Sequence, residues 1–224
     1  MKPYYDEDGI TIYHGDCADV LPTLDPADVD LVLTDPPYGI GYVSPKGLTV
    51  HGDEGPFDPR PLLRFGRCVI FGANYFAHLL PPGGWIVWSK RQDNRNFTNF
   101  GTGSTGEVAW SNCLNTVQVF NYFWGGGPWL RAPEERGNTR HPTLKPVSLM
   151  RWILDRWTEP GDLILDPYMG SGPVAQACHE LGRRYIGVEI VEDYCRIAVD
   201  RLRQGVLALE ATSVHPHSLP IPQL

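Results

Sequence analysis

Hydrophobic residues along the chain gather into short unbroken runs, set apart by polar stretches and by turns carrying glycine or proline. Two runs, Asp30-Leu31-Val32-Leu33-Thr34 and Asp162-Leu163-Ile164-Leu165-Asp166, are apolar at every central position. A strand with one wet face alternates apolar and polar residues. A run that is apolar throughout is covered on both faces, as in a parallel sheet. Further strands are predicted at Gly9 to Tyr13, Arg67 to Phe71, Trp85 to Trp88, Val117 to Phe123 and Arg184 to Val188. Helical spacing follows at Pro146 to Trp157, where Val147, Leu149, Met150, Ile153, Leu154 and Trp157 share a face. Pro173 to Leu181 reads as a helix closed by a glycine C-cap at Gly182, and Asp193 to Leu209 as another. Strands alternating with helices predict an α/β fold with a mostly parallel, doubly wound sheet.

The 224 residues suffice for one well-buried α/β domain spanning 1–224, with little left for a second. The stretch 91–140 breaks the pattern. It is rich in Asn, Gly, Thr and Trp and reads as an insertion of loops with one hairpin at most. The tail 212–224 has three prolines, two histidines and no period, and is expected to be loose.

Composition narrows the class. Apolar residues make up 42% and charged residues 20%, ordinary values for a globular domain. No run approaches the roughly 20 apolar residues that cross a bilayer, so no membrane partner is expected. Residues 1–15 carry acids and tyrosines without the apolar centre of a signal peptide, which points to the cytoplasm. The five cysteines are odd in number, widely spaced and never in a CxxC pair, against a disulfide framework or a zinc site; no metal is expected. The net charge of −7 argues against non-specific coating of nucleic acid, though a local basic surface stays open.

Two turns carry candidate chemistry. Thr34-Asp35-Pro36-Pro37-Tyr38 directly follows a buried strand, where ligands bind in open α/β sheets. Two prolines fix two backbone angles and remove two N–H donors. A rigid turn remains, presenting carbonyl oxygens, a carboxylate and an aromatic ring. A nucleobase amino group is a poor nucleophile because its lone pair is delocalised into the ring. Two acceptors, the Asp35 carboxylate and the Pro36 carbonyl, would hold its hydrogens and turn the lone pair towards a methyl donor. Tyr38 would offer a stacking face worth about 1–3 kcal/mol. Such a site works by orientation and electrostatics. The bland alternative is a strand ending in a proline turn.

The second turn, Asp166-Pro167-Tyr168-Met169-Gly170-Ser171-Gly172, also ends a buried strand and opens a helix. Gly170 and Gly172 permit close approach of a ligand to the backbone. The fuller GxGxxG of dinucleotide sites is absent, which leaves a nicotinamide-dependent oxidoreductase remote. Glu189 follows the next strand, 23 residues beyond Asp166, and is placed to accept hydrogen bonds from ribose hydroxyls.

Together the two turns resemble the β class of DNA amino-methyltransferases, site-specific enzymes of bacteria and phages. Thr34 to Tyr38 resembles that family's catalytic Asp-Pro-Pro-Tyr, and Asp166 to Gly172 its cofactor loop, with Tyr168 in place of the usual phenylalanine. His14-Gly15-Asp16-Cys17 resembles the element beside the cofactor's adenine, and His141 to Pro146 the segment before the cofactor loop. The catalytic turn precedes the cofactor loop, the circularly permuted order of the β class. The resemblance implies a Rossmann-like methyltransferase fold that uses S-adenosylmethionine. It implies that Asp35, Pro36, Pro37 and Tyr38 hold a flipped adenine. Asp166, Pro167, Tyr168, Gly170, Ser171 and Gly172 would surround the cofactor. Glu189 would bind its ribose, Asp16 and Cys17 would lie by its adenine, and Thr143 and Lys145 would reach its carboxylate. In related enzymes that act on cytosine N4 the first letter of the turn is usually Ser, and in those that act on RNA or protein amides usually Asn, so Asp35 favours adenine N6.

An enzyme acting on a base of double-stranded DNA must extrude it. The stretch 91–140 is the candidate for target recognition. Lys90, Arg91 and Arg95 at one end and Arg131, Arg136 and Arg140 at the other would grip phosphates, and Asn94, Asn96, Asn99, Asn112, Gln118 and Asn121 would read base edges. Trp124, Trp129 and the glycines 125–127 between them suggest a loop with large aromatics. Its shortness implies a short target sequence or help from a partner subunit, as in a homodimer. Three alternatives remain beside the adenine reading: transfer to cytosine N4, transfer to RNA bases or protein amides, and a degenerate binding module without activity.

Overall fold

Among the described residues, nine strands form one sheet in the order β1-β2-β9-β8-β3-β4-β6-β5-β7. The computed structural model describes residues 1–44, 47, 49–90, 104–122 and 144–213, with side chains to residue 204. The strands are β1 (Tyr5–Glu7), β2 (Ile10–His14), β3 (Leu31–Thr34), β4 (Cys68–Phe71), β5 (Gly84–Ser89), β6 (Gly106–Ser111), β7 (Val117–Asn121), β8 (Leu163–Asp166) and β9 (Arg184–Glu189). Five α-helices accompany them: α1 (Cys17–Val20), α2 (Arg60–Leu63), α3 (Val147–Trp157), α4 (Pro173–Leu181) and α5 (Glu192–Ser213). Pairing is parallel from β2 through β9, β8 and β3 to β4, and again between β5 and β7. Only β1 and β6 run against the rest. This is the mostly parallel α/β sheet that the apolar runs predict.

β3 and β4 are buried at all four positions, as expected of strands covered on both faces. Two apolar clusters lie on the two sides. One joins Leu31, Leu33, Val69 and Phe71 to the inner faces of α3, α4 and α5; the other joins Val32, Cys68 and Ile70 to Leu62, Phe65 and Phe76. α3 turns Val147, Leu149, Met150, Ile153 and Leu154 inward, the face read from its spacing. Pro146, at φ −65° and ψ 136°, starts it, because the ring forbids helix before it but suits the first turn. α4 ends at Gly182 in the left-handed region (φ 68°), whose N–H closes on the carbonyls of Cys178 and His179.

Two strands were not anticipated. β1 is a three-residue edge strand with an exposed face, too short to show a period. β6 falls within 91–140, as does β7, so this stretch supplies two strands to the central sheet as well as the segments around them. β6 is buried only in its second half, which blurs its alternation. Helix α5 runs on to Ser213, into the first residues of the expected tail; residues 214–224 lie outside the described residues. Among the described residues, no helix is long and apolar enough to cross a membrane. The five cysteines are free thiols.

Candidate active site

β3 and β8 are neighbours, yet the chain leaves β3 towards β4 on one side and β8 towards β9 on the other. Connections that depart in opposite directions open a crevice at the carboxyl ends of the two strands. The crevice here is a cavity of about 1590 Å³, lined by the double-proline turn 35–38 and by the loop 166–171. Small-ligand pockets typically measure about 300–1,000 Å³, so this one has room for a cofactor and a second group beside it. The Thr34 hydroxyl donates a 2.7 Å hydrogen bond to Oδ1 of Asp166 at the floor of the crevice.

Asp35, Pro36, Pro37 and Tyr38 all reach the cavity wall. The Tyr38 hydroxyl donates to Oδ1 of Asp35 at 2.6 Å, which braces the carboxylate against its own turn. Tyr38 lies against Gly72, at φ 67°, where an added Cβ would come within 1.9 Å of the ring. Glycine at 72 therefore serves both the left-handed backbone and the seat of Tyr38. The half-exposed ring of Tyr75 stacks on Tyr38, with centroids 5.3 Å apart and planes 19° apart.

The other oxygen of Asp35 accepts from Lys145, a buried ammonium that also donates to the Tyr38 hydroxyl at 3.3 Å. Oε2 of Glu107 lies 3.0 Å from the same ammonium, and its Oε1 pairs with Lys90. Glu107 comes to the site because β6 is reversed: its first residues lie where the parallel strands end, with Glu107 opposite Trp88 of β5. Burial raises the Asp35 carboxyl above its ordinary value; Lys145 pulls it back, and Glu107 adds to the rise. Burial disfavours the Lys145 ammonium, but Asp35, Glu107 and Tyr38 more than offset this and keep it firmly protonated. Burial also works against the Glu107 carboxylate, but Lys145 and Lys90 outweigh it and hold the group at about 2. Asp35 keeps a fifth of its side chain open to the cavity.

The second turn lines the neighbouring part of the cavity. Asp166 is almost fully buried, with Tyr168 N and the Tyr185 hydroxyl donating to it besides Thr34. Burial pushes its carboxyl up to about 7 against those donors. Gly172 has φ 78°, and an added Cβ would meet Ala198 at 2.7 Å, so only glycine fits between the loop and α5. Glu189 accepts from Gly170 N and Val191 N, each at 2.8 Å, and leaves lone pairs towards the cavity. Asp16 caps α1 by accepting from Ala18 N at 2.8 Å, and Cys17 beside it packs, like Tyr168, against the apolar cluster on that side of the sheet. Pro167, Tyr168 and Gly170 also line the cavity. The Ser171 hydroxyl is buried at the cavity wall and finds no partner among the described residues. Buried hydroxyls are rarely left unpaired, so this one asks for a ligand atom. The orphaned hydroxyl, the glycines and the spare acceptors of Glu189 suit a nucleoside cofactor with polar ends.

Lys145 is directed at Asp35 and Glu107 in the catalytic half of the cavity. Thr143 and the five arginines 91, 95, 131, 136 and 140 lie outside the described residues, as do Asn94, Asn96, Asn99, Trp124 and Trp129. Asn112 is spent structurally: its Oδ1 accepts from Cys68 N at 2.8 Å and its Nδ2 donates to Gly66 O. It follows the last residue of reversed β6, at the opposite end of the sheet from the cavity. Gln118 bonds to Thr116 at 3.2 Å. Sequence reasoning missed Glu107 and Tyr75. For Glu107 the available signal was Val108-Ala109-Trp110 directly behind it, a short apolar run whose first neighbour would sit at a strand end.

The described geometry has known counterparts. The N6_N4_Mtase family model, described as DNA methylase, matches residues 85–200, just over half of the chain. The chain is 27% identical to the Type II methyltransferase M2.LlaDCHI of Lactococcus lactis subsp. cremoris, over 91% of this chain and 93% of that one. It is similar to the crystal structure of the M1.HpyAVI–SAM complex, with a TM-score of 0.57 and 26% identity, over 86% of this chain and all of that one. It shares the fold of the cytosine-N4-specific PvuII DNA methyltransferase, with a TM-score of 0.63 at 16% identity, over 89% of this chain and 88% of that one. The double-proline turn and the glycine-bearing loop meet at the switch point of the sheet, and the chain belongs to the DNA methylase family of N6 and N4 amino-methyltransferases.

Proposed function

We propose that the protein transfers a methyl group from S-adenosylmethionine to the exocyclic N6 amino group of adenine in duplex DNA, at a short specific sequence. The observation that carries this reading is the Asp35 carboxylate. It is braced by Tyr38 at 2.6 Å, faces the cavity, and sits on a rigid double-proline turn next to the cofactor loop. When bound, S-adenosylmethionine supplies a methyl group on a sulfonium sulfur that keeps the bonding pair as the amine takes the methyl. Asp35 and the Pro36 carbonyl accept the two amino hydrogens and turn the nitrogen lone pair out of the ring plane. Asp35 then takes up the proton that the methylated nitrogen sheds. Tyr38 stacks on the extruded base, and the exposed ring of Tyr75 gives way to it. Glu189 holds the cofactor ribose and Ser171 a polar atom at its other end, while Asp16 and Cys17 flank its adenine.

Asp35 in place of a serine favours adenine over cytosine, on the resemblance described above. The arginines of 91–140 would supply the phosphate contacts of a duplex. Long-read sequencing of DNA from cells expressing the chain tests the proposal. N6-methyladenine confined to one short motif supports it, and N4-methylcytosine at such a motif overturns the choice of base.

A further inference from the structure

Among the described residues, the turn 35–38 adjoins a linked set of four charges. Lys145 bridges Asp35 and Glu107, and Glu107 bridges Lys145 and Lys90. Two ammoniums face two carboxylates, so the set is neutral as a whole. Lys145 also lies 5.4 Å from the centroid of Phe71, and Lys90 4.7 Å from that of Trp88, so aromatic faces take up part of the positive charge. Glu107 itself is separated from the base-holding carboxylate by Lys145.

The chemistry makes this balance matter. As the amine nitrogen bonds to the methyl carbon it becomes positive, and it stays so until its proton leaves. A positive charge forming beside Asp35 is stabilised by that carboxylate and opposed by Lys145. In a site shielded from water, unit charges a few ångströms apart still interact by several kcal/mol at an effective dielectric of about 20. Whether Lys145 neutralises Asp35 alone, or divides its charge between two carboxylates, therefore changes the field at the reacting nitrogen.

We propose that Glu107 is a positioning residue that holds Lys145 between two carboxylates and offsets its charge at the reacting nitrogen, so that the site stabilises the amine as it turns cationic. This rests on the amino-methyltransferase reading. Without Glu107, Lys145 faces Asp35 alone, Lys90 loses its carboxylate, and the set carries one excess positive charge. Methyl transfer then slows although the cofactor loop, the turn and the cavity are intact.

Four variants test it, assayed with S-adenosylmethionine and a duplex carrying the target motif, alongside cofactor Kd and thermal midpoint. Glu107→Gln keeps the shape and removes the charge. Its kcat falls by about tenfold or more, the scale of losing one electrostatic group in a site, while cofactor Kd and KM for DNA stay within about threefold. Glu107→Asp keeps the charge and changes the shape; it outperforms Glu107→Gln, the reverse of the order a packing role would give. Adding Lys90→Gln to Glu107→Gln restores neutrality and recovers most of the lost kcat. Should Glu107→Gln prove too unstable to assay, Lys90→Gln alone shifts the balance the other way and gives a kcat above wild type. A Glu107→Gln variant as fast as wild type, a Glu107→Asp variant slower than it, no recovery in the double variant, or a kcat below wild type for Lys90→Gln each overturns the proposal. If wild type methylates no DNA, the parent reading has failed instead.

Discussion

The Thr34 hydroxyl and the Asp166 carboxylate, 132 residues apart in the chain, meet at 2.7 Å beneath the cavity. Thr34 is the last residue of the strand that carries the double-proline turn, and Asp166 the last of the strand that carries the Gly-Ser-Gly loop. One hydrogen bond thus fixes the two halves of the site against each other. Thr34→Val keeps the shape and removes the donor, leaving a buried carboxylate short of a partner. The expected loss of stability is about 1–3 kcal/mol in urea unfolding, with a parallel loss of activity. An unchanged midpoint would mean the bond is incidental.

The raised Asp166 carboxyl, at about 7, makes stability depend on pH in an unusual direction. In the unfolded chain an aspartate titrates near 3.9. Between about pH 4 and pH 7 the folded protein therefore holds a proton here that the unfolded chain has lost, so stability from this group falls as pH rises through that window and levels above 7. The change is on the order of 4 kcal/mol at most, at about 1.4 kcal/mol per unit. Unfolding of wild type and Asp166→Asn at pH 5 and pH 8 measures it. The variant gains relative to wild type at pH 8; an equal difference at both pH values contradicts the expectation.

The orphaned Ser171 hydroxyl separates binding from folding. Ser171→Ala removes a buried group left unsatisfied among the described residues, so thermal stability holds or rises. Cofactor affinity, read by calorimetry, weakens by about threefold to tenfold, the worth of one ordinary hydrogen bond. Unchanged affinity would show that the hydroxyl does not face the cofactor.

Gly72→Ala places a methyl group into the ring of Tyr38 at a backbone angle of φ 67°. Strain and overlap cost about 1–3 kcal/mol each. Tyr38 must leave its seat, and with it goes the 2.6 Å brace on Asp35. The variant folds with a lowered midpoint and a kcat down by about tenfold or more. A normal kcat would show that Tyr38 needs no fixed position.

Asp35→Ala removes the acceptor for the amino group but leaves Glu107 at 3.0 Å to pair with Lys145. The fold and cofactor binding persist, and methyl transfer falls by about 10²–10³-fold or more. Transfer at the normal rate would remove Asp35 from the chemistry.

Much of the fold was legible because parallel strands announce themselves: Leu31 to Leu33 and Leu163 to Leu165 are apolar without a break, and the turns that follow them carry Pro-Pro-Tyr and Gly-Ser-Gly. Both turns line the same cavity. Glu107 was not legible because an antiparallel strand brings its start, not its end, to the active edge, and nothing local in the sequence reports strand direction. Asn112 was misjudged for the same reason: it lies past the far end of that strand, where its side chain is consumed by Cys68 N and Gly66 O. The pairing of Lys145 with Asp35 and Glu107 was not legible either, since it depends on Glu107 being there. Tyr75 lies in a short turn after β4 whose sequence has no period, so its stacking on Tyr38 emerges only from tertiary packing.

The most direct measurement gives the purified protein methyl-labelled S-adenosylmethionine and unmethylated duplex DNA of mixed sequence, then digests the DNA to nucleosides for mass analysis. The account predicts label in N6-methyladenine and none when Asp35 is replaced by alanine. Label in N4-methylcytosine, or label in adenine that survives loss of Asp35, would contradict it.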